Sequence, residues 1–415
     1  MFMTLVPSPL QPLSGNKYLL ILSMLIFLSA CSKKIKTTPT IVSPPQVEVQ
    51  KPQEPEAPKK PVVHSIALLL PFELNKIKLN TSDKKELSKA DLAIDFYQGM
   101  KLALDSLSQS GHHFNLRVFD TQNQETRVVN LAMANSVKSN DIIIGPVYPE
   151  EVKSFAEFAE LQNIMQVSPL AASLPVGFKS SKLIVVNNSL EQHARKIAEF
   201  ITKNYKPELV NIVLLNTQKS DDSRFSTYLK KGINETGANR FRIIERPNAI
   251  GIEKFLHPAK NNLVLVSSSD RLFVVPTIDR LIKLKGEKFR IELYGHPNWI
   301  KARYLTHTKL QALNTRITSS YHVNYKQENV KNFIRRYRLE FNLEPSEYAF
   351  KGFDVGYYFG GMLARFGKDY QGHLTEAVYP GLHANFRFRN YADKGFVNTE
   401  LMLLEYRNFE LQVLE

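Results

Sequence analysis

The sequence predicts an α/β protein with two lobes, each a mostly parallel sheet with helices on both faces. From residue 64 onward, short apolar runs of strand length alternate with amphipathic stretches of helical length. Strands that are joined through helices pair in parallel, so this alternation indicates sheets covered on both sides. About 350 residues follow residue 64, more than a single hydrophobic core usually accommodates, so we expect two lobes.

The first run of this alternation extends from residue 66 to residue 170. The predicted strands read IALLLPF (66–72), LRVFD (116–120), DIIIGPV (141–147) and IMQVSPL (164–170). Helices are predicted at 92–107, 128–137 and 152–161, where apolar residues recur at helical spacing. The order is that of a parallel sheet with helical crossovers.

The second run begins at residue 182. Strands are predicted at 182–188, 211–216, 241–246, 262–268 and 290–296, and helices at 190–205, 225–236 and 273–285. The pattern changes near residue 318, where ITSSYHVNY precedes two helical stretches, NVKNFIRRYRLEFN and FDVGYYFGGMLARFG. From about residue 382 apolar and polar residues alternate, which predicts antiparallel strands and hairpins. We therefore assign 63–185 and 315–375 to the first lobe, and 186–314 and 376–415 to the second.

The only cysteine, Cys31, follows an apolar segment, YLLILSMLIFLSA (18–30), that Lys17 precedes. This segment is shorter than a membrane span of about 20 residues and has the length of a signal-peptide core. The tetrapeptide ending at Cys31, LSAC, resembles the bacterial lipobox, in which the thiol receives a diacylglyceryl group. Residues 1–30 are thus predicted to be a lipoprotein signal peptide and Cys31 a membrane anchor. An uncleaved single-span anchor and a buried core cysteine are the alternatives.

Residues 31–62 contain seven prolines among Lys, Glu, Gln and Val, without apolar periodicity. Such a segment cannot bury enough apolar area to offset its chain entropy, so we predict an extended linker. Ser32 after the cysteine resembles an outer-membrane sorting signal. Location in the bacterial envelope, in the outer membrane and facing the periplasm, is therefore expected.

The net charge and the absence of catalytic motifs argue against several classes of function. The net charge is +14, but a signal segment places the chain outside the cytosol, so no nucleic-acid partner is expected. The sequence contains no H-E-x-x-H, G-x-S-x-G or G-x-x-x-x-G-K motif, and no enzyme activity or cofactor is predicted. With one cysteine and scattered histidines, a metal site is not expected either.

The order of several short motifs resembles the type I periplasmic-binding-protein domain, the fold of leucine/isoleucine/valine-binding proteins. These motifs are IALLLPF, FYQGMKLALDSL, VFDTQNQ, IIIGPVYPEEVKSFAEFAE, MQVSPLAAS and FDVGYYFGGML. The resemblance covers residues 64–415. The chain is also similar to envelope lipoproteins of this fold, a branch that includes activators of peptidoglycan synthases.

The resemblance implies a ligand site between the lobes, where loops leave the carboxyl ends of parallel strands. The candidate ligand-binding residues are Asp120, Thr121, Tyr148, Ser168, Ala172, Ser173, Asn188 and His296. Asn187, Asn188 and Ser189 are alternatively predicted to cap the helix that starts near residue 190. In amino-acid binders of this family a Ser or Thr in the G-P turn holds the ligand carboxylate, whereas here the turn continues with Tyr148, Pro149 and Glu150. Pro149 has no N–H to donate and Glu150 is expected to repel a carboxylate, which argues against α-amino-acid binding. Asp354 is expected to be structural.

Two functions remain open at this point. The first is a lipid-anchored binding protein that holds a small polar solute between its lobes, as a component of an ABC importer. The second is an envelope scaffold or regulator that uses the same fold to contact peptidoglycan machinery. A cleft with convergent polar groups favours the first, and a cleft filled by its own side chains, such as Tyr148 or Phe72, favours the second.

Overall fold

The computed structural model describes residues 61–78, 84–172, 178–376 and 378–414, without the side chains of residues 84–89 and 287. The predicted signal peptide, Cys31, most of the linker and Ser173 lie outside these ranges. Among the described residues, no helix combines the length and the apolar character that crossing a membrane requires.

The strands and helices follow the predicted alternation. The strands are β1 (Val63–Leu70), β2 (His113–Asp120), β3 (Ile142–Ile144), β4 (Gln166–Ser168), β5 (Leu183–Val185), β6 (Val210–Leu215), β7 (Ile243–Arg246), β8 (Asn261–Val266), β9 (Arg290–Tyr294), β10 (Arg316–Ser319), β11 (Tyr379–Pro380), β12 (Asn385–Phe386), β13 (Phe388–Tyr391), β14 (Gly395–Asn398), β15 (Met402–Arg407) and β16 (Glu410–Val413). The α-helices are α1 (Lys84–Ser108), α2 (Glu125–Met133), α3 (Asn135–Lys138), α4 (Pro149–Leu161), α5 (Leu190–Asn204), α6 (Ser220–Thr236), α7 (Arg271–Glu287), α8 (His307–Ala312), α9 (Glu328–Phe341) and α10 (Glu347–Phe366).

Two seven-stranded sheets form the two lobes. The first has the order β13-β14-β5-β4-β3-β1-β2, and the second has the order β16-β15-β10-β9-β8-β6-β7. In each sheet the first five strands along the chain pair in parallel, so the duplicated architecture that the sequence predicts is confirmed. The sheets differ at the strand that pairs with their fifth strand, because β14 runs parallel to β5 whereas β15 runs antiparallel to β10.

Helices cover both faces of each sheet, as predicted. In the first lobe, alternate residues of β1 point to opposite sides: Ile66, Leu68 and Leu70 pack with α1 and α10, and Ala67 and Leu69 pack with α2 and α4. In the second lobe, one face of the sheet packs with α7 and α8, and the other with α5 and α6. Burial on both faces explains why these strands read as continuous apolar runs.

The predicted helix over 128–137 is interrupted. Ala134 has extended backbone geometry, with φ −72° and ψ 130°, and separates α2 from α3. The apolar residues on either side of Ala134, Leu131 and Val137, are both buried, so the predicted apolar face still packs against the core despite the interruption.

Strand pairing assigns the segments after residues 315 and 376 to other lobes than the predicted boundaries do. β10 (316–319) belongs to the second sheet, beside β9, whereas β13 and β14 (388–398) belong to the first sheet, beside β5. The chain therefore passes between the lobes three times, after β5, after β10 and after β14. Helices α9 and α10, between the second and third crossovers, pack on the first lobe against α1.

Candidate functional site

A cavity of about 650 Å³ lies between the two lobes. Its walls come from loops that follow the carboxyl ends of parallel strands, namely β3, β4 and β5 of the first sheet and β9 and β10 of the second, together with helices α5 and α10. Side chains in its lining include Tyr148, Leu170, Ala171, Ala172, Asn187, Asn188, His193, Asn298, Ile300, Lys301, Thr318, Ser319, Ser320, Tyr321, Glu347, Tyr348 and Lys351. Volume and mixed lining are typical of a small-molecule site.

The first-lobe wall depends on the turn at Gly145-Pro146. Gly145 has φ +106°, and a Cβ atom there would lie 2.1 Å from the carbonyl oxygen of Leu69. Only glycine fits this approach, which places the turn directly over β1. Tyr148 follows in extended geometry, precedes α4 and lines the cavity with 38% of its surface exposed.

Hydroxyl groups and a histidine form the part of the lining where the first and second crossovers between the lobes lie side by side. His193, on α5, hydrogen-bonds Thr318 Oγ1 through Nδ1 at 2.9 Å and Ser320 Oγ through Nε2 at 3.3 Å. Burial, and secondarily the nearby His296, lowers the pKa of His193 to about 3, so the ring is neutral. The side chain of Asn188 donates to the carbonyl oxygen of Asn398 at 2.9 Å.

The wall formed by α10 and the turn at Pro297–Lys301 is charged. Lys301 Nζ, from the second lobe, donates to Glu347 Oε1 of α10 at 2.7 Å, so this ion pair spans the cavity. Trp299 holds the turn in place, because its ring is buried and its Nε1 donates to the carbonyl oxygen of Ser268 at 2.9 Å. Lys351 lies one helical turn after Glu347 and also lines the cavity.

An aromatic layer lies behind these charges. The Nζ atoms of Lys351 and Lys301 are 5.1 Å and 5.6 Å from the ring centroid of Tyr321. Tyr321 stacks on His383, with ring centroids 4.6 Å apart and planes 4° from parallel. Its position is set by Ser319, whose hydroxyl donates to the Tyr321 carbonyl oxygen and accepts from the Tyr321 N–H.

Three predicted site residues line the cavity: Tyr148, Ala172 and Asn188. Glu150, which was expected to repel a carboxylate from this turn, is exposed and is not part of the lining. Ser189 forms a capping box with Gln192 at the start of α5, so the capping prediction is confirmed for Ser189.

Four other predicted site residues lie outside the lining. Asp120 accepts the backbone N–H groups of Glu73, Leu74 and Gln122 and thereby fixes the loop after β1. Thr121 and Ser168 are completely buried at strand ends. His296 caps the turn that begins at Pro297 by accepting the N–H of Asn298, and its ring packs edge-on against Phe225.

Sequence reasoning missed the charged and aromatic residues of the cavity: Lys301, Tyr321, Glu347, Tyr348, Lys351 and, on α5, His193. Glu347 and Lys351 are four residues apart and share one face of α10, but the predicted stretch FDVGYYFGGMLARFG begins only at residue 353, so the prediction did not place them on a helix. No sequence signal exists for Lys301, which reaches this face from the other lobe. Asp354, expected to be structural, accepts three backbone N–H groups, those of Leu382, His383 and Ala384.

Metal coordination has no support in the described ranges. No group of three or more His, Cys, Asp or Glu side chains there is placed to hold a metal ion.

Comparisons with known proteins identify the fold. No protein-family model matches the chain, and no curated protein matches it. Similar solved structures include a putative branched-chain amino acid ABC transporter protein from Rhodospirillum rubrum, with 13% identity, a TM-score of 0.62, and coverage of 85% of this chain and 100% of that chain. A branched-chain amino acid transporter protein from Rhodopseudomonas palustris has 13% identity, a TM-score of 0.58, and coverage of 85% and 95%.

A third structure is an ABC transporter substrate-binding protein from Desulfitobacterium hafniense in complex with Leu, with 13% identity, a TM-score of 0.54, and coverage of 85% and 100%. Likeness at such low identity establishes the fold alone. The chain has the two-lobed α/β fold of type I periplasmic binding proteins.

Proposed function

We propose that this chain is a lipid-anchored periplasmic binding protein that holds a small polar solute between its lobes and delivers it to an ABC importer. The observation that carries the proposal is the cavity of about 650 Å³ with convergent polar groups from both lobes. Support also comes from the similar structures, which include an ABC transporter substrate-binding protein with Leu bound and a putative branched-chain amino acid ABC transporter protein. The lipobox-like tetrapeptide before the linker supports anchoring at Cys31.

The side chains that were expected to fill such a cleft leave it open. Tyr148 forms part of the wall, and Phe72 packs against the core of the first lobe and is not among the lining residues. This arrangement favours solute binding over the alternative, an envelope scaffold that contacts peptidoglycan machinery. We infer a binding role, because the hydroxyl partners of His193 in the cavity are not accompanied by a carboxylate within hydrogen-bond distance of its ring in the described residues, and a ring whose pKa burial lowers to about 3 is a weak general base.

Thermal unfolding against a solute library tests the proposal. The protein is expressed with its own N-terminal segment, purified in mild detergent, and melted with amino acids, organic acids, peptides, sugars and muropeptides. A solute that binds only the folded state raises its stability by about 2.7 kcal/mol at a hundredfold excess over Kd. We expect a shift for one chemical class.

A pair of tyrosine variants separates cavity binding from surface binding. Tyr148→Ala is expected to reduce the ligand-induced shift, whereas Tyr391→Ala, a tyrosine of similar exposure on β13, is expected to leave it unchanged. If no solute shifts the transition, the binding proposal fails, and crosslinking in the envelope is the test of the scaffold alternative.

A further inference from the structure

Lys351 is a cation inside the cavity with no counter-ion of its own. Among the described residues, no carboxylate oxygen lies within 4.0 Å of its Nζ, and its one close partner is the face of Tyr321 at 5.1 Å. Burial lowers the pKa of Lys351 to about 8, even though the nearby Glu347 acts in the opposite direction. Lys351 is half-buried, and ammonium groups withdrawn from water are usually paired, so one without a carboxylate partner in a cavity calls for an explanation.

Glu347, the carboxylate that lies near Lys351 in the described part of the chain, already has a partner. Glu347 pairs with Lys301 at 2.7 Å, so the two lysines share a single negative charge. Burial, and secondarily the charges of Lys351 and Lys301, keeps the pKa of His383 well below its usual range, and burial also lowers the pKa of His322, so neither ring adds positive charge here at neutral pH. Neither ring nitrogen of His383 has a hydrogen-bond partner within the described part of the chain.

The remaining ionisable groups here do not change this balance. Tyr321 and Tyr348 both have raised pKa values, chiefly through burial, and are neutral at physiological pH. Among the described residues, this part of the cavity therefore carries the two positive charges of Lys301 and Lys351 and the one negative charge of Glu347, with aromatic and aliphatic surface beside them.

We propose that the cavity binds a small organic anion, whose carboxylate or phosphate group pairs with Lys351 Nζ while its apolar part lies against Tyr321, Leu170 and Ile300. This inference rests on the proposed function, because it assigns the ligand chemistry of the same cavity. A bound anion serves as the counter-ion of Lys351, and partial exclusion of water strengthens the resulting ion pair.

The first experiment compares the affinities of charged and neutral ligands that have the same shape. Carboxylates and phosphate monoesters, each paired with the neutral amide or alcohol of the same skeleton, are titrated into the protein purified in detergent, with isothermal calorimetry as the readout. We expect anions of one of the two types to bind at least about tenfold tighter than their neutral partners. If neutral partners bind as well as anions, the inference is overturned while the binding proposal stands. If nothing binds, both fail.

Lysine variants then test whether Lys351 is the residue that binds the anion. With the best anion of that screen, Lys351→Met is expected to weaken binding at least tenfold, and Lys351→Arg to retain most of it. Lys394→Met, which removes an exposed lysine from the β13–β14 turn, is the matched control and is expected to bind as the unmodified protein does. Equal affinity of the Lys351→Met and Lys394→Met variants overturns the inference.

Two further measurements distinguish a lost charge from a misfolded variant. Glu347→Gln removes the nearby negative charge and is expected to tighten anion binding. Affinity is also expected to fall as pH rises from 7 to 9.5, because Lys351 loses its proton, and this dependence is expected to disappear in Lys351→Met. Weaker binding by Glu347→Gln, or the same pH dependence without Lys351, contradicts the assignment.

Discussion

Glu151 illustrates how a single residue is governed by opposing effects. It lies in the first turn of α4, where the helix dipole favours a negative charge by about 0.3–1 kcal/mol. The side chain is, however, only 2% exposed, and neither carboxylate oxygen forms a hydrogen bond within 3.5 Å in the described structure. Burial raises the pKa of Glu151 to about 7, although Thr121 and the N–H of Gln124 lie near enough to oppose this in part. Desolvation therefore outweighs the helix dipole here.

The raised pKa predicts a pH-dependent effect of Glu151→Gln. The folded protein binds this proton more tightly than the unfolded chain, so this group makes stability fall as pH rises from about 4.5 to about 7. Above pH 7 the variant is expected to be more stable than the unmodified protein by on the order of 1–3 kcal/mol, with little difference at pH 4.5. Denaturant unfolding at a series of pH values measures this.

The neighbouring residue provides the control for that prediction. Glu150 is exposed on the same turn, so Glu150→Gln makes the same change of charge without the change in burial. Exposed substitutions of this kind are usually within about 0.5 kcal/mol of neutral. Indistinguishable pH profiles for the two variants contradict a destabilising buried charge at residue 151.

At the scale of elements, the pairing of α1 with α10 positions the charged wall of the cavity. The two helices approach closely because small residues lie at their contact. A Cβ atom at Gly352 would lie 2.0 Å from the carbonyl oxygen of Phe96, and one at Gly99 would lie 1.9 Å from that of Ala349. Since these contacts involve backbone atoms, no side-chain rearrangement relieves them. Lys351, adjacent to Gly352, depends on this packing for its place in the cavity.

Substitution of this glycine therefore has a predicted cost. Gly352→Ala is expected to destabilise the protein by about 1–3 kcal/mol or more, because the helices must separate. Gly361→Ala, on the same helix with no atom within 4 Å of the added Cβ, is expected to be neutral or to stabilise by up to about 1 kcal/mol. The thermal unfolding midpoints of both variants test this. Equal midpoints for the two variants contradict a special role of close packing at Gly352.

At the scale of the whole molecule, Asn398 joins two of the three crossovers between the lobes. Its Nδ2 donates to the carbonyl oxygens of Val186 and Asn385, each at 3.0 Å, and its Oδ1 accepts the N–H groups of Arg387 and Glu400. Its own carbonyl oxygen accepts from the side chains of Asn188 and Gln192. With 1% of its surface exposed, this residue fixes the chain where it leaves the first sheet.

Removal of this side chain is predicted to loosen the hinge. Asn398→Ala leaves buried backbone groups without partners, at about 1–3 kcal/mol, and amide hydrogen exchange is expected to accelerate at 186–192 and 385–400. Asn390→Ala, on the exposed side of the same hairpin, is the control and is expected to leave exchange unchanged. Uniform acceleration over both lobes would indicate a loss of global stability instead of a local hinge effect.

The candidate site was predicted less completely than the fold. Loops at strand ends led to Tyr148, Ala172 and Asn188, because the carboxyl ends of parallel strands converge on one edge. The same reasoning selected Asp120 and His296, whose polar atoms are instead used by neighbouring backbone N–H groups. A polar residue at a strand end is equally suited to fixing a loop, and its sequence context does not distinguish the two uses.

The sequence by itself determined the alternation of strands and helices, the two-lobed α/β class and the buried faces of the strands, because periodicity and burial are recorded locally in the order of residues. Tertiary structure alone decided that β10 pairs with the second sheet and β14 with the first, since strand pairing is a contact between distant segments. It also brought Lys301 to Glu347, 46 residues away along the chain, and placed Lys351 beside them with no counter-ion from the described residues. The chemistry of the cavity arises from these crossovers, and no local pattern encodes them.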